Sequence, residues 1–312
     1  MTQTVLLSPS GEVRTLTLRW WLGRNMLLKP VGRRRVALGA ALGLTAGLVA
    51  LVRCGAGAQA EGWPTSVKAS YQITFNGFNI GTVDFQSEAE SESYTLVANT
   101  RLSVLLGAFT WDSETRSFGM LTGKAPKPAA FSLDFRSTLK AGSLKIGFSD
   151  GAVTDVAQHP LVPPKPGTVP LREQHLKGVL DPLSAIMLLS RATNNSNPCE
   201  RRIPIFDGKE RFDLVLSRKG EVQITEQQPS GQPGLAYVCR VRYQPIAGYK
   251  LDKETEFMVA NEAIEVALRP IPSANVFIPY SATIPTLAGA AAVSAKRIEI
   301  ASPGKPQIAL TH

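Results

Sequence analysis

The clearest pattern in the chain is a period of two. Val67, Ala69, Tyr71, Ile73 and Phe75 alternate with Lys68, Ser70, Gln72 and Thr74. Such alternation, rich in β-branched and aromatic residues, predicts a half-buried strand. Asn76-Gly77 follows, a pair that tolerates positive φ at both positions and so predicts a tight hairpin. The return strand is expected over 78–87, with Gly81 inside it, where a missing side chain permits a bulge or sharp bend. Further strands are predicted over 94–104, 109–121, 129–139 and 142–148. Together they form an antiparallel meander.

The middle of the chain changes character. Pro160, Pro163, Pro164, Pro166 and Pro170 crowd one stretch, and proline fixes φ and lacks a donor, so this is a loop or extended connection. Asp181 and Pro182 then give an N-cap and a first helical residue. Leu183, Ile186, Met187 and Ser190 share one helical face, widened by Ala185, Leu188 and Leu189, which predicts a helix packed on a sheet. A second β section follows, with strands over 203–206, 210–218, 221–226, 236–243, 255–260 and 263–269. Asp207-Gly208, Lys219-Gly220 and Asn261-Glu262 are read as its turns. Pro272, Pro279 and Pro285 predict an edge or interrupted strand over 271–285. Residues 287–293 read as loop or edge, 298–300 as a last strand, and 302–312 as a flexible tail. No repeat of fixed period is present.

Charge and leader belong together. The net charge of +9 first suggests a nucleic-acid or membrane-surface partner. Residues 1–60 hold eight of the 34 basic residues and one of the 25 acidic ones, leaving 26 and 24, a net of +2, from Glu61 onward. The body therefore lacks the cationic excess that nucleic-acid binding needs. Arg33-Arg34-Arg35 precedes seventeen uncharged residues over 36–52, and a small-residue run ends at Ala58-Gln59-Ala60. Basic, apolar and A-x-A segments in that order describe a signal peptide over 26–60, cleaved near Ala60. Residues 1–25 then read as a spurious or tolerated extension, since Met26 offers a conventional start. The alternative is an uncleaved inner-membrane anchor over 36–52, a little short for a full crossing. Lipidation at Cys54 is disfavoured because Arg53 stands where a small residue belongs. The expected compartment is the periplasm, the body 61–301 not spanning the membrane. There, Cys199 and Cys239 are expected to form one disulfide, worth roughly 4 kcal/mol for a loop of about 40 residues.

A search for chemistry returns little. There is no G-x-S-x-G, phosphate loop, dinucleotide fingerprint or H-E-x-x-H. His159 and His175 flank the proline-rich loop and read as exposed rather than as metal ligands; His312 ends the sequence. Asp207, Glu210 and Asp213, interleaved with Lys209 and Arg211, read as a charged hairpin tip, with paired-carboxylate catalysis as the alternative. Arg240 and Arg242 share a strand face, which is solvated or meets an anionic headgroup. No cofactor is implied.

Four segments carry a family resemblance. They are Tyr71-Gln72-Ile73-Thr74-Phe75-Asn76-Gly77-Phe78-Asn79-Ile80-Gly81, Asp181-Pro182-Leu183-Ser184-Ala185, Phe206-Asp207-Gly208-Lys209-Glu210-Arg211-Phe212 and Cys239-Arg240-Val241-Arg242-Tyr243-Gln244-Pro245-Ile246-Ala247-Gly248. In this order they resemble the DUF3108 family, exported proteins of Gram-negative bacteria without an established function, over roughly 66–300. The family looks similar to periplasmic half-barrels that carry lipid or lipoprotein. The resemblance thus implies a mainly β fold, a curved antiparallel sheet or half-barrel with one packed helix; no catalytic residues are established for the family, so none carry over. Fold alone does not settle function. The expectation is a non-enzymatic periplasmic binder of a hydrophobic or lipid-like ligand or of an envelope partner. The alternatives are an enzyme acting on envelope polymers through Asp207, Asp213 or His175, and a scaffold held by an uncleaved N-terminal helix.

Overall fold

The computed structural model describes residues 5–7, 13–15, 63–123, 125–191 and 197–312. The leader 26–60, with Ala58 and Ala60, lies outside the described residues. Fourteen strands from Ser66 onward join one antiparallel sheet. The first seven are β1 (Ser66–Phe75), β2 (Phe78–Ala89), β3 (Ser93–Val104), β4 (Phe109–Thr122), β5 (Ala125–Ser137), β6 (Ala141–Ser149) and β7 (Ala152–His159). Helix α1 (Pro182–Ser190) comes next, then β8 (Arg201–Phe206), β9 (Arg211–Gln223) and β10 (Leu235–Ala247). Helix α2 (Lys253–Ala260) precedes β11 (Glu265–Ile271), β12 (Val276–Thr286), β13 (Gly289–Ala301) and β14 (Ile308–Thr311). Strand order is β8-β9-β10-β11-β12-β13-β1-β2-β3-β4-β5-β6-β7, with β14 on β13. Two three-residue strands, Val5–Leu7 and Val13–Thr15, pair with each other, and Val5 lies opposite Val156.

The N-terminal half follows its alternation. Tyr94, Leu96 and Ala98 of β3 and Phe131 of β5 are buried on one face, which meets Leu183 and Met187 of α1. The opposite face of α1 is not left to solvent: Ala185, with Leu188 and Leu189, packs against Ile203, Leu216 and Val266. A helix touched by strands from both halves explains its apolar character. The sheet wraps it.

Strands β8 and β7, first and last in the order from Ser66 onward, do not pair with each other. The segment before α1 lies between them instead. The Gly178 N–H donates to Gly151 O at 2.7 Å, the Leu180 N–H to Pro204 O at 2.9 Å, and the Phe206 N–H to Leu180 O at 2.9 Å. Thus Lys177 bridges to Ala152 and Leu180 to Ile205. This satisfies edge groups that would otherwise recruit another strand. Pro204 sits in the edge strand β8, where its missing donor costs no ladder bond.

Several expectations are corrected. Residues 255–260, read as a strand, belong to α2. Asp252 caps it by accepting the Thr255 N–H at 3.1 Å, and Glu254 and Glu256 in its first turn suit the positive helix end. A second helix, α2, thus joins the packed α1. Lys219-Gly220 is no turn but lies within β9, next to a register shift at Arg218/Gly220. Residues 276–286 form an internal strand; Pro279 is tolerated beside the bulge at Ala267/Leu268, where the ladder is already broken. Strand β7 was not foreseen. The tail is not frayed, since β14 pairs Arg297–Ile300 and buries Leu310.

Candidate functional site

Strand β10 is paired along its length with β9, but with β11 only from Tyr237 to Arg240. The Val241 N–H still donates to Ile264 O at 2.8 Å. Beyond it, no strand among the described residues borders this side of β10. Helix α2 lies there instead, tied to β12 by the Asn261 amide, which donates to Pro285 O at 2.9 Å.

Between α2 and β10 runs a groove of about 560 Å³. Tyr243, Pro245, Tyr249, Leu251, Val259 and Ala260 make it largely apolar; Arg242, Gln244, Thr255 and Glu256 add polar groups. Leu251 is 68% exposed and Val259 45%. No residue of α2 is fully buried; Met258 packs against the core beneath it, and Val259 and Ala260 line the groove. Tyr243 is held firmly: its ring lies 5.3 Å from that of Phe212, and its hydroxyl donates to Glu210 Oε2 at 3.1 Å. Burial, with the Glu210 carboxylate beside it, pushes the Tyr243 hydroxyl above its ordinary pKa, so it remains a neutral donor. Arg242 makes no ion pair among the described residues, whereas Arg240 stands 4.0 Å from Glu262. A mostly apolar groove with a few placed polar groups is the ordinary form of a small-ligand site.

The carboxylates considered for catalysis are otherwise engaged. Asp207 closes its turn by accepting the N–H groups of Lys209 at 2.9 Å and Glu210 at 2.7 Å. Burial raises its pKa, partly offset by those two bonds. Asp213 is buried between Arg202 at 2.8 Å and Arg211 at 2.5 Å. His175 accepts the Arg172 N–H through Nδ1 at 3.2 Å. His159 ends β7, beside a polar cleft of about 750 Å³ that also includes Asp112, Glu114 and Asp134. Among the described residues no group of three or more metal-ligating side chains forms.

The residues named as structural fall into place. Cys199 and Cys239 form a buried disulfide with Cα atoms 5.2 Å apart. Gly77 takes φ +84° in the first turn, and a Cβ on Gly81 would lie 2.0 Å from Arg101 O. Asp181 caps α1, with Pro182 at its first position.

Sequence reasoning missed two clusters. Around Asp181, the Ser184 hydroxyl donates at 2.5 Å and the Ser117 hydroxyl at 2.9 Å, while Tyr94 meets Ser184 at 2.8 Å. All four are sealed from solvent, so this chain of hydroxyls serves the helix and reaches no substrate. Arg269, fully buried, pairs with Glu226 at 2.7 Å and lies 3.3 Å from His312 Nε2. His312 is thus ordered, stacked edge-on against Tyr280. Beyond the cap Asp181 itself, neither cluster has a local sequence signal, because Tyr94, Ser117, Glu226, Arg269 and His312 are brought together from distant parts of the chain.

No helix of the described residues is long and apolar enough to cross a membrane, which says nothing of strands. The family model described as "Protein of unknown function (DUF3108)" matches residues 70–272, more than half the chain. None of the curated proteins compared with the chain matches it. A solved structure similar in fold is the "Beta-barrel-like Protein of Domain of Unknown Function DUF1849 from Brucella abortus". It is 12% identical, covering 77% of this chain and 99% of that one, with a TM-score of 0.45.

Proposed function

The chain belongs to the DUF3108 family, proteins of unknown function, and on that premise we propose that it is a non-enzymatic binding protein of the periplasm whose ligand is lipid-like. The observation that carries this reading is the apolar groove between α2 and β10. An acyl chain would lie along Tyr249, Leu251 and Val259, and Arg242 would meet an anionic headgroup. The volume, about 560 Å³, lies within the range of small-ligand sites, roughly 300–1,000 Å³. The leader and the disulfide support a location outside the cytoplasm.

Native mass spectrometry of the protein isolated from cells tests the reading. Adducts of lipid mass are expected, and Val259→Glu, which places a charge in the groove, should remove them. Repeated absence of adducts, together with no uptake of a fluorescent fatty acid, would sink it.

One observation favours an envelope protein as the second reading. Val241 directs its N–H away from β9, and alternation directs the Tyr243 N–H the same way, toward the groove. An extended peptide could add there as a strand. Slowed amide exchange at Tyr243 on adding partner, but not on adding fatty acid, would distinguish it.

A further inference from the structure

Antiparallel order places alternate hairpin turns at the same end of a sheet. One end collects the turns β1–β2, β3–β4, β5–β6, β8–β9 and β12–β13, together with the exits of β7 and β10. The β12–β13 and β1–β2 tips touch directly, the Asn76 N–H donating to Ala290 O at 2.9 Å. These turns carry Phe78, Leu105, Leu106, Leu139, Leu287 and, after β7, Leu161, each at least 60% exposed. Single exposed apolar residues need no explanation, but a row of them along one rim does. Leu105 and Leu106 hold φ of 52° and 55°, a conformation that favours glycine or asparagine, yet two leucines stand there.

Charge sharpens the contrast. The stretches 75–79, 104–109, 137–141, 160–166 and 286–289 hold no carboxylate, and Lys140 and Lys165 are exposed among them, while the β8–β9 turn at the same end holds Asp207 and Glu210 with Lys209. Asp207 is spent on its own turn and Glu210 on Lys209 and Tyr243. One layer inward, Arg101, Asp112 and Arg136 stand side by side across β3, β4 and β5. The turns at the other end expose no large apolar residue among the described residues, Ile224 being buried, and Glu90, Glu92 and Asp150 lie there. Apolar tips, flanking lysines and a charged belt behind them form the profile of an interfacial surface, where apolar groups enter the headgroup boundary and cations meet anionic lipid.

We infer that this rim docks onto an anionic lipid surface. The groove between α2 and β10 lies at the same end of the sheet, since Arg242, Tyr243, Gln244 and Pro245, which line it, belong to the rim end of β10. Docking does not depend on that groove being a ligand site.

The test uses the body from Glu61 onward, left by the proposed cleavage, in which Cys199 and Cys239 are bonded to each other, so that one introduced cysteine can carry an environment-sensitive fluorophore. Labels are placed by Leu106→Cys or Leu139→Cys on the rim and by Met120→Cys on the outer face near the opposite end. Vesicles of phosphatidylcholine with phosphatidylglycerol should blue-shift the rim labels and leave the Met120→Cys label unchanged. Leu106→Ser with Leu139→Ser should weaken vesicle association about tenfold or more, from the apolar area withdrawn. Val259→Glu should leave the rim response intact, so a failed groove and a failed rim give different results. No response at the rim, an equal response at Met120→Cys, or a rim response that appears without vesicles on raising protein concentration overturns the proposal; the last would assign the rim to self-association.

Discussion

Replacing Asp181 by alanine tests whether the helix inside the sheet is held by its buried cap. Asp181 is fully buried and accepts the Leu183 and Ser184 N–H groups, each at 3.0 Å, as well as the two serine hydroxyls. Loss of an N-cap costs about 1 kcal/mol. Ser117, Ser184 and Tyr94 can still bond among themselves, so about one hydroxyl is left without an acceptor, at about 1–3 kcal/mol. The expected loss is therefore about 2–4 kcal/mol, read as a shift in the urea midpoint. A loss below about 0.5 kcal/mol, the usual scale of surface changes, would refute the reasoning. The pH dependence gives a second reading. Burial raises the carboxyl pKa above its ordinary value, with the Ser184 and Ser117 bonds opposing. Between the unfolded and folded values the native state holds a proton that the unfolded chain has released. This contribution is therefore fully present below the unfolded pKa and fades as pH rises through the folded one. Asp181→Asn lacks that titration, so its deficit relative to wild type should widen as pH falls toward 4. A deficit that is flat or narrows there would contradict the assignment.

Three further perturbations probe the fold. Cys199→Ala with Cys239→Ala opens a loop spanning 40 positions and should cost about 4 kcal/mol, seen as an earlier thermal transition. Gly81→Ala places a Cβ 2.0 Å from Arg101 O, whereas at Gly77 the same Cβ meets nothing within 4 Å. Gly77→Ala should therefore cost only the left-handed penalty, about 1–2 kcal/mol, and Gly81→Ala more, by chemical denaturation. Arg201 closes the far end of α1 by donating to Leu188 O at 2.6 Å, Leu189 O at 3.1 Å and Arg191 O. Arg201→Met should cost about 2 kcal/mol, with faster amide exchange at the end of the helix.

The meander from Ser66 to Ser149 was legible because each strand has one wet face, so its alternation survives in the sequence. The cap Asp181-Pro182 was legible because it is local. Strand β7 was missed because Ala152–His159 has no fully buried position and shows no clean alternation. Helix α2 was misread because Thr255, Phe257 and Val259 suit strands, while the decisive signal, Asp252 as a cap, lies outside that window. Its lack of a fully buried residue left no apolar stripe to find. The groove was not legible for the same reason: it exists only where β11 stops short of β10, and that depends on pairing across the fold. Arg242 was singled out as a candidate for an anionic headgroup, but nothing local could distinguish it from Arg240.

Crosslinking with a diazirine-bearing fatty acid tests the central claim most directly. After irradiation and digestion, the label should map to peptides containing Tyr243–Tyr249 and Leu251–Ala260, and Val259→Glu should abolish it. Label confined to other strands, or labelling unchanged in Val259→Glu, would contradict a ligand groove between α2 and β10.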